Sequence, residues 1–470
     1  MLILLAPRCC ASYSGVMVLA LLLLGTASNW VPMRWSSGDA ASLGILKGTP
    51  VNCLVLEKEA LNATVVAEAG GAGIDTLALL TSDVSAESLQ KVAALKVTGV
   101  LVEGTFPPGA VDSLRKTAEA LQLAFIALPP RAQLRFDGQT VVGTHQGVWP
   151  GIQVEEGGAA KAAPSGAPWI NTNSGFLRFA RASTDAPIWL GVRPPAGMVI
   201  TAEGYLQAIS DAAIAGSRWI VSLDDDFSRR LLAGEELARK DWGRMMDLLA
   251  YYEAHKGWRA MKPAGQLAIL QDVDSGALLS GGVLDMIAVK HTPVRPVPTR
   301  TLGATSMAGT RMAVNVDPSS MTEDQKAALL QWRRTGGTLL SGPATWKFPA
   351  PEVDRITLSD ADVKMLDDIW KELNAMTGRR NLGARLFNVS SMLSNLLESP
   401  DGKQTVLHLV NYSGFPVENV TVHVLGKYKS ARLLAPGAPD KKVDVYEVEE
   451  GAGTGIDIDA VQVAATLLLE

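Results

Sequence analysis

Three carboxylates in a row, Asp224, Asp225 and Asp226, follow the apolar run Trp219 to Leu223. At the mouth of a barrel-type enzyme such a group has a use, because glycosidic bonds are ordinarily cleaved by two carboxyl groups, one protonated and one ionised. A helix starting at the same point selects the same residues, one Asp capping it and the others favouring its positive end. Glu103, which ends the apolar run Gly99 to Val102, is the second carboxylate of interest. Paired with Asp225 or Asp224 it gives a general acid (Glu103) and a base. The loop 143–152, GTHQGVWPGI, concentrates residues suited to a sugar: His145 and Gln146 can donate to hydroxyls, and Trp149 can stack on a pyranose face. Trp169, Asn171 and Asn173 in PWINTN repeat that combination, and Arg193 suits either the carboxylate of an acidic sugar or an ion pair. Glu57, Glu155 and Glu156 read as solvated loop acids.

These residues need elements to hold them. Short apolar runs at 52–56, 76–80, 99–102, 124–128, 140–143, 169–171, 188–192 and 219–223 alternate with amphipathic stretches of helical length. Runs apolar on both faces are expected in parallel strands covered by helices, and their alternation with helices predicts a TIM-like (β/α)8 barrel, with a doubly wound sheet as the alternative. Helices are predicted over 111–121, over 202–215 after Thr201 as N-cap, and over 242–256, where Trp242, Met245, Met246, Leu249 and Tyr252 form one stripe. Barrel enzymes place reactive groups at the C-terminal ends of their strands, which is where the candidate residues fall. Glu103 and the Asp224 to Asp226 group would then face each other across the mouth, a separation suited to inversion through a water.

The chain has 470 residues, too many for one ordinary core, and 47% are apolar. Its net charge of −5 is dispersed, with no basic run that would mark a nucleic-acid partner. Arg8 before the apolar run 16–24, followed by Gly25, Thr26 and Ala27, has the form of a signal peptide, so residues 1–28 are assigned to export, with an uncleaved membrane anchor as the alternative. Cys9 and Cys10 fall in that leader and Cys53 is alone, leaving the mature chain without a disulfide pair. No HExxH, CxxC, Gly-x-Ser-x-Gly or dinucleotide-binding glycine motif is present, so no metal or cofactor is expected.

The barrel is assigned to 48–260. A small α/β domain at 264–350 follows, with Thr322 and Gln325 as a capping box and Gly336 and Gly337 ending its helix. A helical connector spans 351–384, and period-two alternation over 385–470 predicts an antiparallel β-sandwich.

A barrel, then an α/β module carrying RMAVNVDPSSMTEDQKAALLQWRRTGGTLLSGP, then a sandwich carrying VLHLVNYSGFPVENVTVHV, resembles the layout of the large β-galactosidase-type glycoside hydrolases. The resemblance implies a flavodoxin-like middle domain, related to glutamine amidotransferase domains but without their chemistry, and a carbohydrate at the barrel mouth. In that family the acid and nucleophile are glutamates ending strands four and seven. Here the corresponding runs end in ALPPR and GVRPP, so the chemistry sits on other strands, a strand is miscounted, or hydrolysis has been lost. The expected function is acid/base hydrolysis of a carbohydrate by an extracytoplasmic protein. A non-catalytic carbohydrate-binding or envelope scaffold protein is the alternative.

Overall fold

A computed structural model describes residues 27–154, 160–162, 172–271, 292–303, 305–315, 321–342, 360–378, 380–389, 391–448 and 453–470. Its first half is a parallel α/β core. Five strands, β1 (Pro32–Trp35), β2 (Cys53–Leu56), β3 (Asp75–Thr81), β4 (Gly99–Glu103) and β5 (Ala124–Leu128), pair in chain order, each parallel to the next. Three more, β6 (Val142–Thr144), β7 (Ile188–Leu190) and β8 (Arg218–Trp219), form a second parallel sheet with β7 in the middle. The two sheets meet where the chain runs on from β8. There Arg34 N donates to Val221 O (2.8 Å) and Val221 N donates to Pro32 O (3.0 Å), making a parallel bridge to β1. On the other side the Thr144 hydroxyl donates to the Pro129 carbonyl at 2.7 Å, just beyond β5.

Strand parity sorts the apolar residues into two layers. Cys53, Val55, Leu77, Leu101, Ala124, Ile126, Leu128, Trp189 and Ile220 pack with Trp30 in one inner cluster. The alternate positions Leu54, Leu56, Ala78, Val100, Val102, Phe125 and Leu190 belong to the outer layer, under the helices. These are α1 (Ala63–Gly71), α2 (Ala86–Ala93), α3 (Ala110–Ala120), α4 (Ser174–Ser183), α5 (Ala202–Ala213), α6 (Asp225–Leu232) and α7 (Glu236–Ala254). Caps fix where several of them begin: Asn62 accepts from Thr64 N and Val65 N, Ser85 from Ser88 N and Thr201 from Gly204 N.

One correction follows for the order of strands. The core does not begin at residue 48: β1 precedes that boundary, and Ala27 and Trp30 are already buried in the inner cluster. The run 169–171 expected as a strand lies outside the described residues. With β1 added in front, Gly99–Glu103 is the fourth and Ile188–Leu190 the seventh of the parallel core strands among the described residues; a short antiparallel pair, Ile152–Val154 with Ala160–Ala162, lies between β6 and β7 in the chain.

Downstream, a four-stranded parallel sheet orders Val294–Pro298, Leu267–Gln271, Met312–Asn315 and Thr338–Ser341 side by side. Helix α8 (Glu323–Arg334) connects the last two, and its capping box is made as expected, Thr322 Oγ1 accepting from Gln325 N while Thr322 N donates to Gln325 Oε1. After α9 (Asp360–Thr377) come two antiparallel sheets. The larger contains Met392–Glu398, Thr405–Asn411 and Ala464–Leu469; the smaller contains Ala384–Phe387, Val417–Val424 and Thr454–Val461. Leu407, Leu409 and Leu467 from one meet Leu386, Val420, Val422, Ile456 and Ile458 from the other in a shared core.

Candidate functional site

The parity that sends Val55, Leu101 and Trp189 inward also sends inward the residues two positions further on. Glu57 follows Val55, Glu103 follows Leu101, and Gly191 and Arg193 follow Trp189. Arg34 lies between Met33 and Trp35, both in the outer layer, and so faces inward too. At the C-terminal strand ends these side chains meet in one charged cluster. Arg34 grips both oxygens of Glu103, Nη1 at 3.3 Å and Nη2 in a closer contact, and Nη2 also donates to Gly191 O at 3.0 Å. Glu57 accepts from Arg193 at 2.7 Å and lies 3.7 Å from Arg34, while Arg193 is 3.5 Å from the second oxygen of Glu103. Two guanidinium and two carboxylate groups therefore form a closed ring of ion pairs.

The ring is graded in depth. The Arg34 side chain is 4% exposed, Glu103 17% and Arg193 45%. Burial by itself favours the neutral carboxyl of Glu103. The charge and hydrogen bonds of Arg34, together with Arg193 and His145, outweigh it and hold the group below the usual glutamate range. Glu103 is thus an anion at neutral pH. Gly191 leaves the space the ring needs: a Cβ there would stand 2.9 Å from Leu128 Cδ1, 3.3 Å from Arg34 Nη2 and 3.4 Å from Glu103 Oε1.

The other expected residues separate into those near this ring and those held elsewhere. His145 is half-buried beside it, its Nδ1 bonded to Leu128 O at 2.7 Å and its charge felt by Glu103. Asp224 is not a partner for Glu103. It is the N-cap of α6, where its carboxylate accepts from Phe227 N (2.9 Å), Ile200 N (3.1 Å) and Tyr205 Oη (2.5 Å), so its acceptor capacity is spent inside the fold. Asp225 lies in the first turn of α6 and is exposed, and Asp226 pairs with Arg229 and Arg230.

Trp149 is 3% exposed and sits edge-on against Tyr205 and Trp219, with centroids 5.8 and 5.4 Å away, so it packs in the core and offers no face for a sugar. Gln146 is buried and accepts from Arg131 N at 2.8 Å. Asn173, fully buried, ties the same loop down: Nδ2 donates to Val148 O (2.8 Å) and Asp211 Oδ2 (3.0 Å), and Oδ1 accepts from Val148 N (2.9 Å). These two amides are loop braces rather than sugar ligands. Trp169 and Asn171 lie outside the described residues. The residue that sequence reasoning missed is Arg34, and the one it undervalued is Glu57. Inward parity from a strand at 32–35 is the signal that identifies the first.

No family profile matches the chain, and no curated protein matches its sequence. Solved structures do match. An α-L-fucosidase, isoenzyme 2, from Paenibacillus thiaminolyticus superposes with a TM-score of 0.62 at 8% identity, over 93% of this chain and 99% of the other. A catalytic mutant of a GH42 β-galactosidase from G. stearothermophilus gives 0.51 at 9% identity, over 97% and 96%. At such identities the likeness is one of fold: a parallel α/β core followed by antiparallel sheets, in the order shared with glycoside hydrolases.

Proposed function

We propose that this chain is a glycoside-hydrolase-like protein that engages a carbohydrate over the C-terminal ends of its parallel strands, and that the ring of Arg34, Glu57, Glu103 and Arg193 is the centre of that site. The observation that carries the reading is the position of Glu103. It ends the fourth strand, faces inward and is kept ionised at the mouth. The bridge from β1 to Val221, and the approach of Thr144 to Pro129, support closure of the eight strands into a (β/α)8 barrel. In the middle domain, the second strand lying outside the first, and the third and fourth following it, supports a flavodoxin-like sheet.

Acid/base hydrolysis is assigned to Glu103 with Glu57 as the second carboxylate, in place of Asp224 or Asp225. Arg34 holds Glu103 as the ionised member, suited to act as base or to stabilise positive charge developing at the anomeric carbon. Glu57 and Arg193 form the solvent-facing half of the ring, where hydroxyl groups of a sugar can exchange for ion-pair contacts. We place the protein outside the cytoplasm on the strength of its leader.

The test is release of reducing ends from a broad panel of glycans by the mature chain, beside Glu103→Gln, Glu57→Gln and Asp225→Asn. Loss of about a hundredfold or more in each glutamate variant, with folding intact and Asp225→Asn unaffected, is the expected result. Retention of activity in both glutamate variants would move the chemistry elsewhere. Binding of glycans by a parent that hydrolyses none of them would make this a carbohydrate-binding protein on a hydrolase fold.

A further inference from the structure

A second cleft, of about 340 Å³, lies between the parallel core and the middle domain, away from the strand-end ring. Its walls come from α4 and the residues just after it (Arg181, Asp185), the turn 256–260 with the strand after it (Arg259, Lys262), and the middle-domain strand Val294–Pro298 (Arg295). Four cations thus line it against one carboxylate.

Among the described residues, only one of the four makes an ion pair. Arg259 is bound by Glu253, which Arg218 shares. Among the described residues, Arg181, Lys262 and Arg295 make no ion pair. Arg181 donates to the carbonyls of Thr184 (3.3 Å) and Gly216 (2.9 Å), and its Nε is buried with no hydrogen-bond partner. Arg295 donates to Ala308 O and feels the charge of Glu398, which faces Lys262 across the paired strands, without forming an ion pair with it. Burying like charges together is unfavourable unless a counter-charge arrives. Burial, set against Asp185 and reinforced by Arg259 and Arg218, pulls Arg181 down to about 10. The planar donor arrays of Arg181 and Arg295, with the mobile ammonium of Lys262, match the tetrahedral oxygens of a phosphoryl group.

We infer that the cleft formed by Arg181, Arg259, Lys262 and Arg295 binds a phosphoryl group, free or esterified to a small molecule. Three cations without an ion pair, set against Asp185 and Glu398, leave a net positive charge for the ligand to cancel. α4 and Val294–Pro298 both line the cleft and already pack against each other, so an occupied site would also brace the middle domain against the core.

Calorimetric titration of the full chain with inorganic phosphate and with glucose 6-phosphate, at fixed ionic strength and against chloride, tests this. Lys262→Gln and Arg295→Gln are the variants of choice, since Lys262 is exposed and Arg295 is only half-buried, and neither holds another side chain in place. Each should weaken binding by about tenfold or more, equivalent to roughly 1.4 kcal/mol. Tighter binding of the sugar phosphate would identify an ester as the ligand, and equal binding the free ion. Absence of binding above chloride at millimolar phosphate, or unchanged binding in both folded variants, would overturn the inference.

Discussion

At the scale of single residues, the mouth of the core depends on Arg34. Its side chain is almost wholly out of water and, among the described residues, supplies the one deeply buried positive charge touching Glu103. Removing one member of such a pair leaves an uncompensated charge in a low-dielectric site, which costs far more than the intact pair contributes. Arg34→Met should therefore destabilise the protein by about 3–5 kcal/mol in urea unfolding, and Glu103→Leu added to it should restore much of the loss. A single-variant loss of only about 0–1 kcal/mol would mean that the ring behaves as a surface pair. The pH dependence follows from the same charges. Glu103 titrates below its unfolded value, so its contribution is fully present above the ordinary glutamate range, near pH 4.3, and is lost as pH falls through the folded-state value. The stability gap between the parent and Glu103→Gln should close on acidification through that window.

Elements decide which of these residues meet. Asp224 and Glu103 both end apolar runs, but α6 starts at Asp225, so the backbone N–H of Phe227 and the Tyr205 hydroxyl claim the Asp224 carboxylate. Asp224→Ala should lower stability by about 2 kcal/mol, the upper end for a lost N-cap, because two further donors are stranded with it; Asp225→Ala should leave the melting temperature unchanged. Equal effects of the two substitutions would contradict the cap. Sequence pattern identified the elements with long apolar or well-capped segments: β2 to β5, α5 and α8 fall where hydrophobic period and caps put them, whereas α7 begins at Glu236 rather than at 242, with no side-chain cap to mark its start. Pro32–Trp35 was not legible, being four residues with an arginine in the middle, and its strand character comes from pairing with Cys53–Leu56 and with Val221. That one omission displaced the strand count, so a glutamate ending strand four went unrecognised as such. The seventh of the described parallel core strands, Ile188–Leu190, still ends without a carboxylate. Trp149 was misjudged for a different reason: a tryptophan in a Gly- and Pro-rich loop has the same local sequence whether it points to solvent or, as here, onto Tyr205 and Trp219.

Across the whole molecule, the parallel core and the larger antiparallel sheet are joined by buried polar bonds that local sequence could not reveal, since the partners lie some two hundred positions apart. Tyr412 Oη donates to Asp211 at 2.7 Å, Gln207 Nε2 to Ser413 O at 3.0 Å, Arg178 Nη2 to Ser394 O at 2.8 Å, and Asn395 Nδ2 to Ile214 O at 2.6 Å. Separating the two bodies would strand all of these groups, so they should unfold together rather than as independent domains. Asp211 is the sensitive member. Burial pushes its carboxyl above the usual range, and the donors Tyr412 and Asn173 pull it partly back. Tyr412→Phe removes the donor from the sandwich side and should cost about 1–3 kcal/mol at neutral pH. A carboxyl whose folded-state pKa is raised has its most favourable contribution below the unfolded value, and that contribution is lost as pH rises through the folded one. Removing Tyr412 raises the folded value further, so the deficit should be largest at neutral pH and shrink toward pH 4. Thermal melts of Tyr412→Phe and the parent across that interval test the linkage: a deficit independent of pH would assign the loss to packing alone, and one confined to acid would reverse the sign of the argument.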